Sequence, residues 1–451
     1  MVRRVVLVIL IVLLVASVAV AALAWRARIA PIDPPSPASF DTASIARGAT
    51  LTAIGSCTSC HTAPDGKAYA GGLPLETPFG TIYASNITPD ADTGIGRWPL
   101  DAFVRAMREG VDRDGRQLYP AFPYDHFTHV ADEDLRAIYA YLMTREPVRA
   151  ETPRNDLVFP LNMRMLVAGW KLLFFDRETF RPDPAQSAEW NRGAYLAKGL
   201  GHCGACHTPR NFLGAEKKKR HFTGGDAEGW HAPALDTSSR SPVPWTVDTL
   251  QEYLKRGLTR THEVSAGPMT RVVHNLATVP DPEVHAIATY IAANMGAPDR
   301  ERSDRAKEAL ARARTAAEKG GDAGIQKLAT GGQQSETTLQ DGRVVYEGTC
   351  MLCHGAAQRT AGASSNEALN LGLSTSVQLG TPANLIRIVL QGMSPPDGEP
   401  GPFMPGFATQ FTDEQLVSLI TYLRSDFSDR PAWQNVLRDV RRTRQSLAQP
   451  D

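Results

Sequence analysis

The chain has 451 residues, and its 48 basic residues cancel its 48 acidic ones. That length exceeds one small domain, and the charge balance excludes a broad positive field that would draw the protein to nucleic acid. The 7% aromatic residues and 32 prolines predict a moderate core with many loops.

The N-terminus reads Met1-Val2-Arg3-Arg4, followed by an uncharged apolar run from Val5 to Trp25. About 20 apolar residues span a bilayer, and arginines before such a run send the rest of the chain across. Residues 1–28 are therefore expected to be a retained membrane anchor, with a cleaved signal ending near Ala22-Leu23-Ala24 as the alternative. Either way the body is exported to the periplasmic face of a bacterial inner membrane. Residues 29–40, Pro-rich from Ala30 to Pro37, read as a stiff spacer.

Residues 41–150, 187–298 and 336–430 repeat one pattern. Each copy opens with a short helical stretch, from Arg47 to Cys57, Arg192 to Cys203 and Gly342 to Cys350. Each stretch runs into Cys-x-x-Cys-His: Cys57, Cys60 and His61; Cys203, Cys206 and His207; Cys350, Cys353 and His354. The three motifs use all six cysteines. A second helix then ends at a glycine suited to a left-handed cap: Asp101 to Gly110, Asp248 to Gly257 and Ala383 to Gly392. A third closes each copy: Asp132 to Met143, Asp281 to Ala292 and Thr412 to Ser425, with Tyr141, Tyr290 and Tyr422 in register.

Between the copies, residues 151–186 carry an apolar segment, Pro160 to Phe175, too short to span a bilayer. It is either a buried helix packing the first two copies or a patch docking on membrane or a partner subunit. Residues 299–335 combine a charged, Ala-rich helix, Glu301 to Lys319, with the Gly-rich stretch Gly320 to Gly332, and read as a linker. Residues 431–451 form a tail.

Cys-x-x-Cys-His is the attachment pattern of a c-type haem: two thiols add to the vinyl groups and the imidazole becomes an axial ligand. A zinc site would need four ligands, and no second Cys-x-x-Cys lies near any of the three. A redox pair has no reason to carry a following His three times. The expected fold class is all-α: three tandem class I cytochrome c-like domains behind an N-terminal transmembrane or signal helix, holding three covalent haems c.

Sixth ligands follow from register. Twelve residues beyond Gly257 and Gly392 stand Met269 and Met404, whose thioethers are expected to bind the second and third irons and raise their potentials. The same count from Gly110 gives Phe122, which cannot bind iron, so His126 is expected to replace Met there, with His129 as alternative. That gives one haem of low potential and two of higher. His202, His231, His262 and His274 are expected to be structural, and Lys217 to Arg220 a solvated loop. No catalytic triad or phosphate loop stands out.

With these motifs, and with Tyr119-Pro120-Ala121-Phe122-Pro123-Tyr124, Gly94-Ile95-Gly96-Arg97-Trp98 and Gly199-Leu200-Gly201-His202-Cys203, the chain resembles the triple-haem cytochrome c subunits of bacterial membrane-bound dehydrogenases. The alcohol-oxidising type has Met where Phe122 stands. A Pro-Tyr-x-His-Phe pattern matching His126 is similar to the branch serving nicotinate-, isoquinoline- or aldehyde-oxidising molybdenum hydroxylases. The resemblance implies electron transfer from a molybdopterin and iron–sulfur dehydrogenase subunit, rather than a flavin or quinoprotein one, to ubiquinone or a terminal oxidase. Substrate oxidation would lie on the partner. The rival reading is a stand-alone, peroxidase-like multihaem enzyme with an open site at the first haem.

Overall fold

The computed structural model describes residues 3–5, 7, 11, 24–319, 336–354, 370–394 and 403–448. The expected anchor lies largely outside these residues, as does the Gly-rich stretch after Lys319. Among the described residues no helix is long and apolar enough to cross a membrane. The chain packs as two compact units: Met1–Ala205 with Asn211–Glu216 and Thr278–Ile287, and Cys206–Arg210 with Lys217–Ala277 and Ala288–Asp451.

In the first unit, helix Thr42–Ile54 starts at Asp41, whose carboxylate accepts from Ser44 N. This helix lies against helix Asp132–Met143 at Gly48, where a Cβ would stand 2.0 Å from the Ala137 carbonyl oxygen. Only a residue without a side chain permits that approach, and it buries Leu51, Ile54, Leu135, Ile138 and Leu142 together. Helix Leu100–Glu109 ends at Gly110 in the left-handed conformation (φ 60°, ψ 41°), above the buried Tyr124 ring. Three short strands form an antiparallel sheet in the order β1 (Pro74–Thr77), β2 (Gly80–Tyr83) and β3 (Asp156–Leu157).

Helix Ala188–Lys198 carries Tyr195, whose hydroxyl donates to Asp134 Oδ2 at 2.6 Å and accepts from Ala131 N at 3.0 Å. Asp134 is buried and paired with Arg47 at 2.5 Å, so this polar group has partners inside the unit. Arg192 closes the same region with two hydrogen bonds of 2.8 Å to Glu283.

The second unit holds helix Val247–Arg256, entered through reciprocal hydrogen bonds of Thr246 and Thr249 and left through Gly257 (φ 72°, ψ 4°). Its hairpin pairs β4 (Gly225–Ala227) with β5 (Trp230–Ala232). Helix Glu336–Val345 meets helix Asp413–Phe427 at Gly342, where a Cβ would stand 2.1 Å from the Ser418 carbonyl oxygen. This is the geometry of Gly48 repeated. Leu385, Ile386, Val389, Leu416, Leu419 and Leu423 form the core there.

Four expectations need amendment. The chain is largely helical, but the two small sheets depart from a purely α fold. Gly392 is not a left-handed cap: its φ is 74° but its ψ is −169°. A Cβ there would sit 2.3 Å from the Met404 carbonyl oxygen, so loop closure rather than capping demands glycine. Met269 lies inside helix Pro268–Ala277, not in a loop. Finally, helix Arg300–Lys319 is more than a linker. Ala309 and Ala313 bury a stripe against Leu373, and Arg312 pairs with Asp429 at 3.1 Å.

Candidate haem-attachment sites

Each Cys-x-x-Cys-His motif centres on a helical turn: Cys57–Cys60 followed by His61, Gly204–His207 directly after Cys203, and Met351–His354 directly after the wide turn Tyr346–Cys350. Three-residue spacing on a helix puts both thiols on one side, with the imidazole adjoining the second. No disulfide joins the six cysteines. Burial, then the neighbouring Cys60, pushes the Cys57 thiol up to about 12. Burial, then the neighbouring Cys353, pushes Cys350 up to about 11. A redox Cys-x-x-Cys needs a lowered thiol pKa, so these environments oppose that reading.

The imidazoles are held through one nitrogen. His61 Nδ1 lies 2.6 Å from the Ser85 carbonyl oxygen, and His207 Nδ1 lies 2.6 Å from the Pro233 carbonyl oxygen. A carbonyl only accepts, so Nδ1 carries the proton and Nε2 keeps its lone pair. Burial lowers both pKa values, against the opposing pull of the carbonyls, and favours neutral rings. Both residues still retain partial solvent contact. A neutral Nε2 beside two thiols on one turn fits a covalent haem. At the third motif the Tyr346 hydroxyl stands 3.5 Å from the His354 carbonyl oxygen.

The glycine-ended helices lead into loops closed by isolated antiparallel bridges: Val111 with Gln117, Leu258 with Val264, and Met393 with Met404. Met393 and Met404 exchange both backbone hydrogen bonds at 2.8 Å. Met404 is half-buried against the core around Leu385 and Leu416. Met269 occupies the second position of its helix and is also half-buried. Equal distance along the chain thus gives these two residues unequal backbones.

His126 is buried in the helical turn Tyr124–Phe127 with both ring nitrogens engaged. Nδ1 lies 2.9 Å from the Lys198 carbonyl oxygen and Nε2 lies 2.7 Å from Glu216 Oε1. Burial pulls its pKa down, but the hydrogen bond and charge of Glu216, with the charge of Asp125, outweigh that and raise it to about 9. Asp125, His126 and Glu216 bring one ligand atom each within 4.8 Å of one another. Glu216, ninety positions away in sequence, was not foreseen. His129 is only half-buried, and burial and the nearby His126 lower its pKa. Phe122 packs edge-on to Phe127, with ring centroids 5.3 Å apart.

Of the histidines expected to be structural, His262 is fully buried and stacks on Trp245 at 3.8 Å. His231 pairs with Asp226 at 2.9 Å. The carbonyls of Ser85 and Pro233 have no signature in the sequence, because every residue carries one.

Residues 45–146 match the cytochrome c family model, and residues 337–423 match the model for subunit III of cbb3-type cytochrome c oxidase. The chain is 45% identical over 88% of its length to a nicotinate dehydrogenase subunit of Pseudomonas putida, but spans only 32% of that longer protein. It is 35% identical to the fructose dehydrogenase cytochrome subunit of Gluconobacter japonicus, covering 88% of this chain and 82% of that one. It is 34% identical to the gluconate 2-dehydrogenase cytochrome c subunit of Pantoea cypripedii, over 86% of each. Two thiols and an imidazole held neutral at His61 and at His207 agree with these matches: the chain belongs to the family of cytochrome c subunits that carry electrons for dehydrogenases.

Proposed function

We propose that the chain binds three haems c and carries electrons, one at a time, from a partner dehydrogenase to ubiquinone or a terminal oxidase. The observation that carries this is the three-fold Cys-x-x-Cys-His turn, with Nδ1 of His61 and of His207 tied to a carbonyl. Haem, when bound, supplies an Fe(III)/Fe(II) couple at each site. The chain's own groups do the rest. Thiols of Cys57, Cys60, Cys203, Cys206, Cys350 and Cys353 fix the ring, and His61, His207 and His354 offer Nε2. Met269 and Met404 are the proposed sixth ligands of the second and third irons. For the first, His126 is proposed, its Nε2 leaving Glu216 while Nδ1–H stays on the Lys198 carbonyl, the arrangement usual for a ligating imidazole.

The partner is proposed to be a molybdopterin and iron–sulfur hydroxylase acting on a heteroaromatic acid such as nicotinate. The 45% identity to a nicotinate dehydrogenase subunit and Phe122 at the Met position support it. The three repeated sequence blocks are proposed as three domains, held at the periplasmic face of the inner membrane by the run Val5 to Trp25. A pyridine haemochrome assay with mass spectrometry of the membrane-derived protein should return three covalent haems per chain, and a substantially lower count overturns the reading. Replacement of Met404 by leucine should remove part of the far-red sulfur-to-iron band. An unchanged spectrum would return Met404 to core filler.

A further inference from the structure

Helix Leu166–Phe174 in the first unit is apolar but for one lysine: its sequence is Leu-Val-Ala-Gly-Trp-Lys-Leu-Leu-Phe. A soluble protein covers such a helix on every side. Here Val167 and Ala168 are buried, but Leu172 and Leu173 stand 65% and 72% exposed, with Met165 and Leu166 partly so. The one charge of the helix, Lys171, is turned inward. Its ammonium donates to the carbonyls of Glu109 and Gly110 and to Gln117 Oε1, at 2.6 to 2.7 Å. The outward face therefore carries no charge. Phe159 (80% exposed) precedes the helix, and Leu213, whose carbonyl accepts from Trp170 Nε1 at 3.0 Å, brings the exposed Phe212 alongside.

The occupant of this face follows from where the N-terminal apolar run ends. Gln117 Nε2 donates to the Ala24 carbonyl at 3.0 Å while its Oε1 accepts from Lys171, so one side chain ties the end of the run to the helix. Arg26 and Leu172 line one recess of about 290 Å³. Trp25, exposed at the end of the run, is a residue type that settles at the headgroup level. With nine residues the helix is too short to cross a bilayer, but it can lie in its surface.

The geometry points to a second membrane contact: the outward face of helix Leu166–Phe174, with Phe159 and Phe212, lies in the headgroup and upper acyl layer of the bilayer that the N-terminal run enters. This rests on the membrane location proposed above. It goes beyond tethering, because it fixes which side of the first unit faces the lipid.

The test uses the full-length holoprotein in phosphatidylcholine and phosphatidylglycerol vesicles. Spin labels are placed on Leu172→Cys or Leu173→Cys, with Arg136→Cys on the exposed side of helix Asp132–Met143 as reference. Since Leu172 and Leu173 are exposed, their substitution leaves the core intact. Lipid contact predicts that both labels collide with oxygen and are shielded from a water-soluble nickel complex, several-fold relative to the reference. Labels as open to nickel as the reference, on protein that floats with the vesicles, overturn the inference alone. Protein that does not float overturns the membrane reading and this inference with it. Labels that become shielded only when the dehydrogenase partner is added assign the face to that partner and overturn lipid contact.

Discussion

His262 is sealed beneath Trp245 with its Nε2–H 3.3 Å from the Pro244 carbonyl and the Thr261 hydroxyl 2.9 Å from Nδ1. Burial draws its pKa to about 4, against the weaker pull of the Pro244 and Val243 carbonyls. The unfolded chain therefore binds a proton that the folded one refuses between about pH 6.5 and 4. Stability from this site is complete above about 6.5 and lost as pH falls through 4, amounting to about 3 kcal/mol. Replacing His262 with glutamine, which can still donate to Pro244, should flatten that acid slope in urea titrations run at successive pH values. Tyr195 offers a second residue-level test. Removing its hydroxyl in Tyr195→Phe leaves the buried Asp134 one donor short, and should cost about 1–3 kcal/mol in the same assay. Neither partnership is legible in sequence. Tyr195 and Asp134 stand far apart along the chain, and the acceptors around His262 are mostly backbone.

Helices were the legible scale, and the reason is periodicity. The Asp132–Met143 helix has its expected ends, and the glycine-ended helices fall within a residue of expectation, because apolar positions at helical spacing mark one buried face. Strands of two to four residues carry no such pattern, and β1 to β5 were invisible for that reason. The alanine stripe of Arg300–Lys319 was masked by the charges flanking it. Glycine supplies a sign test at this scale. In an open helix Gly→Ala gains about 0.5–1 kcal/mol from helix propensity. Gly169, with nothing within 4 Å of its missing Cβ, should follow that rule. Gly48 should reverse it: the clash with the Ala137 carbonyl involves backbone that cannot rotate away, and overpacking costs about 1–3 kcal/mol or more. Thermal melts of Gly48→Ala and Gly169→Ala should therefore shift in opposite directions.

Across the whole molecule, Tyr195 belongs to one unit and His262 to the other. Their nearest neighbours do not overlap, so the double variant Tyr195→Phe, His262→Gln should lose stability as the sum of the singles within about 0.5 kcal/mol. A larger deviation in urea titration would mean that the two environments are coupled. Family membership was legible at this scale because the cysteine pattern is tripled and complete. The face of helix Leu166–Phe174 was half legible: its apolarity was evident, but its exposure depends on Lys171 finding acceptors from Glu109, Gly110 and Gln117, which only folding brings together.

The two glycine crossings also impose an order along the chain as it is made from its N-terminus. Cys57 and Cys60 emerge well before the helix that locks against Gly48, and Cys350 and Cys353 emerge before the one that locks against Gly342. Until those later segments arrive, each pair of sulfurs sits on a strip of polypeptide that its crossing does not yet clamp. Closure comes last, so the proposed haem loading would not require these modules to reopen.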